Sequence, residues 1–456
     1  MAGGVLTRGC RPRTAWFWHR NTAKGFNPLR ARSSVRFCAF GAVASLLWLC
    51  TGIQSVHAQG VTGWNGTIRD SAGVTLVENL GEPLWTDDDR WSLGEVWKIG
   101  IADGDPAYMF GEISTLAFLS DGTVVVADRL GHHLKFFSPD GVHIRTVGTA
   151  GSGPGEFGSD ILVYAAAGDT LLVADVKNMQ VHSLAPDGTW LDSWRSFPDG
   201  GWIIQKWGSS PTGRLVTLMQ PFGMPGAPPA SDSLDLVLVR DVRGQVLDTL
   251  GRVPSRQTRA APGKPRVSRY WTGRTDFCSS ADGGLVAGRT DDYRLRWYTA
   301  DGDLDRIVSL RHQAVPISDR DQSLLIQKRE AALIEAGQSP SQVAQSASAV
   351  EFERFYPAWR SIKCSPDGTL WVQRPRPVEK LSEAQLDAYV TIGLPPASSQ
   401  WDVFDEAGRY LGFIDIPPGV VNFGLTEDRL YGVWEDDLDV QHLTAWKIER
   451  GPSPRE

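Results

Sequence analysis

The sequence has few residues that bind metals through nitrogen or sulfur. Only eight of its 456 residues are His and five are Cys. It contains no Cys-x-x-Cys pair, no His-Glu-x-x-His motif and no Gly-x-Ser-x-Gly nucleophile elbow, which are the short patterns of redox or zinc sites, zinc proteases and serine hydrolases. The glycine-rich stretch 151–158 lacks the Lys-Ser/Thr pair and the helix of a phosphate-binding loop. None of these signatures therefore indicates the function.

Acidic residues are absent from the first 58 positions, which carry eight Lys or Arg. An uncharged, largely apolar run at 37–53 is followed by Val-His-Ala at 56–58. A basic start, an apolar core and a small-x-Ala end are typical of a secretory signal peptide. We expect cleavage after Ala58 and an extracytoplasmic protein, periplasmic or secreted, with a retained anchor as the alternative. The run is short for a membrane span, so no span is expected after cleavage.

The chain after position 58 is strongly acidic. The whole sequence has a formal charge of −7, and the loss of its eight leading cations leaves −15. Nucleic-acid binding requires clustered cations that neutralise phosphates. We therefore expect no nucleic-acid partner, and a net charge of this size favours solubility.

Residues 111–148 and 155–194 repeat one pattern. Each contains an apolar run, a Gly-containing turn, a run ending in Val-Ala-Asp, a polar corner, an alternating run and a Pro-Asp-Gly turn. Short apolar runs separated by turn residues are typical of an antiparallel meander. The two Pro-Asp-Gly turns, at Asp140 and Asp187, are 47 residues apart, which is a spacing typical of propeller blades.

Four looser repeats follow. The sixth ends one strand short, whereas a strand predicted at 93–100 has no partner near it in the sequence. A ring closed by strands from both ends of the chain removes exposed sheet edges. We therefore predict an all-β protein, a six-bladed β-propeller of four-stranded antiparallel blades. An N-terminal strand completes the last blade, and a small helical insertion is included.

Helix signals occur in two long connections of the predicted propeller. Ser382 with Gln385 is a predicted capping box for a short helix in 374–399, and the other signals lie in 311–358. Ser318 is a predicted helix cap with Gly337 as the stop, and a second helix is predicted to start at Ser339-Pro340. The predicted parts of the chain are a signal peptide (1–58), an N-terminal strap (59–90), the propeller (91–450) with a helical insertion at about 316–356, and a disordered tail (451–456).

The long connections all fall on one side of the predicted propeller. We call this side the long-loop face, and the opposite side, which carries only short turns, the tight-turn face. Long loops on a rigid scaffold are where binding sites concentrate. The connections of the long-loop face are 195–202, 219–233, 252–270, 311–358 and 374–399.

Two cysteines remain after position 58. Cys278 and Cys364 lie at the ends of apolar runs in equivalent parts of consecutive repeats. An exported protein can form a disulfide. We expect the inner strands of adjacent blades to lie too far apart, so we predict two buried thiols, with a disulfide as the alternative.

Particular residues of the first two repeats match a known family pattern. They are Gly-Pro-Gly-Glu-Phe at 153–157, Val-Ala-Asp at 126–128 and 173–175, and the corner residues His132 and Asn178. The chain resembles the NHL-repeat family of β-propellers at these positions, in its exported bacterial six-bladed type. The match is good over 111–194 and weaker in the later repeats. That family includes binding modules and a few enzymes, so the resemblance implies a fold but not an activity.

Basic residues recur in the corners of the long-loop face. A cationic mouth on an acidic protein suits a carboxylate, sulfate or phosphate group, and solvated corner residues are the alternative. Two aromatic residues beside the long loops are candidates for stacking on a sugar or peptide, although packing under the helices explains them equally well. The candidate ligand-binding residues are Arg129, Lys177, Arg289, Arg294, Arg374, Arg376, Trp271 and Tyr293.

No metal site is predicted, because the six His after position 58 do not converge on the propeller axis. Asp128 and Asp175 end second strands and are expected to accept hydrogen bonds from the backbone of the following corner. Together with Glu435 and Asp436 they are the secondary metal candidates. Calcium is the only cofactor that these residues suggest.

These features together predict a binding module without chemistry of its own. We expect a monomer that recognises an anionic small molecule or a protein through its long-loop face, and no catalytic residue is predicted. The alternative is a metal-dependent hydrolase or lyase of the lactonase kind on the same scaffold.

Overall fold

The computed structural model describes residues 63–196, 202–209, 214–221, 234–254, 258–259, 267–382, 386 and 397–451. The predicted signal peptide and all but the first residue of the predicted tail lie outside the described residues. The long loop at 219–233 lies almost entirely outside them as well.

Six antiparallel sheets of the predicted kind form the body of the protein, so the prediction of a six-bladed propeller is confirmed. In each sheet the strands pair in the order of a meander, starting from the innermost strand. Blade 1 comprises Ile113–Phe118, Val124–Asp128, His133–Phe137 and His143–Val147. Blade 2 comprises Ile161–Ala165, Leu171–Asp175, Gln180–Leu184 and Trp190–Arg195. Blade 3 comprises Trp202–Ser209, Leu215–Pro221, Leu234–Arg240 and Val246–Pro254.

The remaining blades follow the same plan. Blade 4 comprises Thr275–Ser279, Leu285–Arg289, Arg294–Tyr298 and Leu304–Leu310. Blade 5 comprises Ile362–Cys364, Leu370–Pro375, Ala397–Phe404 and Tyr410–Asp415. Blade 6 comprises Asn422–Leu425, Arg429–Glu435 and Gln441–Glu449, with Ser92–Ile99 as its outer strand.

The strand Ser92–Ile99 closes the ring as predicted. It runs antiparallel to Gln441–Glu449, with Ser92 opposite Glu449 and Ile99 opposite Leu443. The indole N–H of Trp97 in this strand donates to the carbonyl of Pro139 in blade 1 at 2.8 Å. The closing strand therefore completes blade 6 and also joins it to blade 1.

An N-terminal hairpin forms part of the region predicted as a strap. Its strands are Gly66–Ser71 and Val74–Asn79, and the second runs parallel to Leu304–Leu310 on the outer edge of blade 4. The buried Asn79 amide donates to the carbonyls of Ser309 and Gly408 and accepts from the backbone N–H of Tyr410. All these bonds cross from the hairpin to blades 4 and 5, so the hairpin covers an edge and links two blades.

Apolar clusters fill the space between every pair of neighbouring blades. Blades 1 and 2 share one cluster, blades 5 and 6 another, and a cluster of Val126, Phe137, Tyr431 and Leu443 joins blade 6 to blade 1. The other three pairs are joined in the same way. Because each sheet is covered on both faces by its neighbours, the ring has no open end.

The predicted helical insertion contains two helices, α1 at Asp319–Glu335 and α2 at Pro340–Ser348. Ser318 and Ser339 cap them, each in a capping box. Leu325 of α1 packs with Trp271 and Tyr356 in a cluster on the long-loop face. Short elements complete the described structure: strands Thr149–Ala150, Glu156–Phe157, Thr258–Arg259, Val267–Tyr270 and Val350–Phe352, and 3-10 helices Pro106–Tyr108, Ala167–Asp169 and Val378–Lys380.

The prediction of two separate thiols is wrong. Cys278 and Cys364 form a disulfide, and their Cα atoms are 5.6 Å apart. The innermost strands of blades 4 and 5 converge towards the propeller axis, where neighbouring strands come within the range that a disulfide requires. The expectation of a larger separation neglected this convergence.

Candidate functional site

The basic residues predicted to form a cationic mouth are mostly paired. The guanidinium of Arg129 lies 2.6 Å from the carboxylate of Glu112, and that of Arg289 lies 2.6 Å from the carboxylate of Asp291. Arg294 is 3.8 Å from Asp292, and both side chains are exposed. The guanidinium of Arg376 donates to the Lys380 carbonyl at 3.0 Å, and Lys177 is exposed. These contacts leave less positive charge for a ligand than the sequence suggested, and the role of these residues in binding stays a prediction.

Arg374 and Tyr293 belong to one buried network. Asp402, in the third strand of blade 5, accepts from Arg374 at 2.9 Å, from the Tyr293 hydroxyl at 2.8 Å and from the Tyr410 hydroxyl at 2.9 Å. Tyr293 is only 4% exposed, and its burial, together with the Asp402 charge, raises the pKa of its hydroxyl. Tyr293 therefore links blades 4 and 5 and has no face available for stacking.

Trp271 is also buried, with 5% of its surface exposed. Its ring centroid lies 5.2 Å from that of Phe352 and 5.0 Å from that of Tyr356. It packs with Leu325 of helix α1. This arrangement corresponds to the packing alternative and not to an open stacking surface.

Asp128 and Asp175 accept hydrogen bonds from the corner that follows each strand, as expected, and also from backbone N–H groups that precede the innermost strand of the same blade. Asp128 accepts from the N–H groups of Gly111, Glu112 and Gly131, each at 3.0 Å. Asp175 accepts from Gly158 and Asn178 at 2.8 and 3.0 Å. Burial alone would raise the pKa of the Asp128 carboxyl, but the His133 ring, whose Nε2 lies 3.4 Å from the carboxylate, and these N–H groups outweigh burial and lower the pKa to about 2.

Replacing Asp128 by Asn is expected to destabilise the protein by about 2 kcal/mol at pH 7, because the lowered pKa of this carboxyl corresponds to about 1.4 kcal/mol per unit. A carboxyl whose pKa is lowered by folding stabilises the protein above its unfolded pKa. The difference from wild type should therefore persist at pH 7 and shrink as the pH falls from about 4 to about 2. Urea unfolding at several pH values measures it, with the exposed Asp303→Asn as control. A difference independent of pH would contradict the assignment.

The acidic corner of blade 6 is organised by its own hydrogen bonds. Asp436 accepts from the N–H groups of Leu438 and Val440 at 2.9 and 3.0 Å and lies 2.9 Å from Nε2 of His442. Glu435 ends the second strand beside it. Within the described part of the chain, no three His, Cys, Asp or Glu side chains are grouped closely enough to hold a metal ion.

A charged cluster that sequence reasoning did not identify lies in the central channel. Lys206 in blade 3 pairs with Leu218, and Asp276 in blade 4 pairs with Gly288. Each partner is the fourth residue of the second strand of its blade. Lys206 and Asp276 therefore lie at the same height along the propeller axis. Their side chains form an ion pair. The second oxygen of Asp276 accepts from the Ser361 hydroxyl at 2.9 Å and from the Ile362 N–H at 3.0 Å. The cluster thus joins the innermost strands of three blades.

Asp276 is ionised in spite of its position. Only 5% of its surface is exposed, and burial works to raise the pKa of its carboxyl. The charges of Lys206 and Arg274 oppose burial and hold the pKa below its ordinary value. A buried carboxylate of this kind requires its charged and hydrogen-bonding partners.

Lys363, in the innermost strand of blade 5, adds a second amine. No described carboxylate lies within ion-pair distance of it, and its Nζ sits 4.8 Å from the centre of the Phe423 ring. Burial and the positive charge of Lys206 lower the pKa of the Lys363 amine to about 8, although Asp276 acts in the opposite direction. The channel therefore holds two amines and one carboxylate.

Lys206 and Lys363, the residues that carry the two amines, line a cavity of about 400 Å³ between blades 3, 4, 5 and 6. Gly208 and Gly424 lie in its wall, as does the Cys278–Cys364 disulfide. A wider funnel of about 960 Å³ shares Ser279, Cys364 and Leu425 with the cavity and is lined by tight turns of blades 1, 2, 4, 5 and 6. The cavity is therefore reached from the tight-turn face, opposite the face on which the sequence placed the site.

The sequence did contain a signal for this cluster. The innermost strands of blades 3, 4 and 5 include Lys206, Asp276 and Lys363, whereas those of blades 1 and 2 carry no charged residue. A charge in a strand that faces neighbouring blades or the channel needs a partner or a function.

Comparison with known proteins finds similarity only to solved structures. No protein-family model matches the sequence, and neither does any curated protein. A DUF4221 family member from Bacteroides vulgatus is 12% identical, with a TM-score of 0.49, and the match covers 80% of this chain and all of that one. A candidate exported protein from Bacteroides fragilis is 11% identical with a TM-score of 0.46, covering 82% of this chain and all of that one.

A gluconolactonase from Xanthomonas campestris is 13% identical, with a TM-score of 0.37, and the match covers 80% of this chain and 90% of that one. At these values the likenesses carry no argument about what this protein binds, and the propeller assignment rests on the strand pairing itself. In the part of the chain that the structure describes, no helix is both long and apolar enough to cross a membrane.

Proposed function

We propose that this chain is an exported propeller of the NHL-repeat kind that binds a small carboxylate in its central channel. The basic, acid-free start and the apolar run at 37–53 support export. The Val-Ala-Asp and Pro-Asp-Gly repeats of blades 1 and 2 support the relation to the NHL family. In this proposal the protein binds its ligand without turning it over. The binding site lies in the channel and not on the long-loop face.

The observation that carries the proposal is the unbalanced charge of the channel cavity. Lys206 is neutralised by Asp276, whereas Lys363 lies over an aromatic ring, and the like charge of Lys206 acts on it more strongly than the opposite charge of Asp276. When both amines are protonated, Lys206, Lys363 and Asp276 together have a net charge of +1 inside an acidic protein. A ligand carboxylate would relieve the repulsion between the amines and accept hydrogen bonds from Lys363, and a charge-assisted bond of this kind is strong.

The size and walls of the cavity limit the ligand. A volume of about 400 Å³ is near the lower end for small-molecule sites. Trp207, Phe277 and Ile362 supply apolar surface beside the amines. A small carboxylic acid with a short apolar portion fits these properties, whereas a folded protein partner could not enter.

Calorimetric titration at low salt tests the proposal, because screening weakens charge-dependent binding. Acetate, succinate and inorganic phosphate serve as probes. We expect at least one carboxylate to bind, and Lys363→Met to weaken that binding about tenfold or more, which corresponds to a loss of at least about 1.4 kcal/mol. The exposed Lys447→Met is the matched control and should leave binding unchanged.

One outcome would favour the long-loop face. If Arg294→Met abolished binding while Lys363→Met did not, the channel seat would be wrong and the original prediction of a cationic mouth would gain support. Binding that survives both substitutions would contradict a binding site in the channel and one at Arg294 on the long-loop face.

A further inference from the structure

The Lys363 amine has the environment of a nucleophile. It lines the channel cavity and has no described carboxylate as an ion-pair partner. With a pKa of about 8, roughly a tenth of the molecules carry a neutral amine at pH 7, compared with fewer than about one in a thousand for an ordinary lysine. Lysines desolvated beside another cation are the type that attacks carbonyl groups.

We propose that Lys363 captures 2-oxo carboxylic acids reversibly as an imine. This inference rests on the proposed function and specifies its ligand, because the carboxylate that the channel charge attracts would carry an adjacent carbonyl group. The geometry that supports it is a channel cavity lined by both Lys206 and Lys363, with Asp276 bound to Lys206.

The reaction needs no oxidant or reductant. The neutral Nζ of Lys363 attacks the carbonyl carbon, a C–N bond forms, and the carbonyl oxygen takes the proton that nitrogen releases. A second proton, from the ammonium of Lys206, converts the hydroxyl of this carbinolamine into departing water, and the nitrogen lone pair forms the C=N bond. Lys206 is then reprotonated by an acid of the solvent buffer, so that the reaction of the neutral amine consumes one proton and releases one water molecule. The product is an iminium ion with the ligand carboxylate beside it.

The charges of the cluster suit each step of this reaction. The buried carboxylate of Asp276 pairs with the ammonium of Lys206 before the reaction. The iminium nitrogen carries the same positive charge as protonated Lys363. A 2-oxo acid brings one negative charge, so the loaded channel is neutral, whereas a simple aldehyde would leave the charge of the iminium uncompensated.

Reductive trapping tests the inference. Purified protein is incubated with pyruvate and sodium cyanoborohydride, which reduces iminium ions and leaves disulfides intact, and labelled lysines are located by peptide mass spectrometry. We expect labelling of Lys363 to exceed that of the exposed Lys447 at least tenfold at pH 7. Lys363→Arg, which keeps the charge and cannot form the imine, should lose this label only.

A parallel titration with lactate separates the two proposals, because lactate has the carboxylate and no carbonyl group. Lactate binding that depends on Lys363, without a pyruvate label there, would overturn the imine and leave the proposed function standing. If lactate does not bind and no label forms, both are wrong. Equal labelling of Lys363 and Lys447 would likewise overturn the imine.

Discussion

Replacing Asp276 by Ala is expected to destabilise the protein by about 3–5 kcal/mol, which is the usual cost of removing one partner of a buried ion pair. Asp276 is nearly inaccessible and neutralises Lys206. Its removal would leave two amines in one channel without a carboxylate and would also remove the acceptor of Ser361 and Ile362. These bonds join blades 4 and 5, so the loss affects contacts between blades.

Urea unfolding at pH 7 measures this effect. The matched control is Asp303→Ala, in an exposed turn of the same blade, which should change stability by less than about 0.5 kcal/mol. Adding Lys206→Met to Asp276→Ala should recover part of the loss, because the unpaired charge is removed together with its partner. A loss below about 1 kcal/mol for Asp276→Ala would show that water in the channel replaces the carboxylate.

Replacing Lys363 by Met is expected to stabilise the protein while weakening ligand binding. The lowered pKa of Lys363 means that folding disfavours its charged form. At about 1.4 kcal/mol per unit, a decrease from 10.5 to about 8 sets an upper limit of about 3 kcal/mol on the gain. A group that works against stability and serves binding is the kind of compromise expected at a functional site.

The pH dependence distinguishes this effect from a gain in packing. Between about pH 8 and pH 10.5 the unfolded chain holds a proton on Lys363 that the folded protein has released, so wild-type stability should rise with pH through that window. The advantage of Lys363→Met should therefore be largest near pH 7 and become small near pH 10. The charged groups that act in this cluster, Lys206, Asp276 and Arg274, are present in both proteins. An advantage that does not change with pH would contradict the charge explanation.

Local patterns were sufficient to predict the architecture. Strands and turns of a meander are encoded within each repeat, and the unpartnered strand near residue 93 could be matched to the incomplete sixth repeat by counting alone. The helix caps at Ser318 and Ser339 were equally local, because a Ser at the N-cap acts on backbone N–H groups within its own helix.

The site could not be predicted in the same way, because it depends on distances between repeats. The arginines of the long-loop face looked available in the sequence, yet Arg374 binds an aspartate in the next strand of its own sheet. Cys278 and Cys364 are 86 residues apart in sequence and meet only because their strands converge. Lys206 and Asp276 are likewise 70 residues apart in sequence, and they meet because blade 3 and blade 4 are neighbours in the ring.

In the proposed function an anion binds in the channel between Lys206 and Lys363. Anomalous diffraction from a crystal soaked in bromide tests it most directly, because bromide reports the place of an anion without requiring the identity of the ligand. We expect a bromide peak in the cavity beside the Lys363 amine, and we expect it to be lost in Lys363→Met crystals. Bromide peaks confined to Arg294 or other cations of the long-loop face, with none in the channel, would contradict this account.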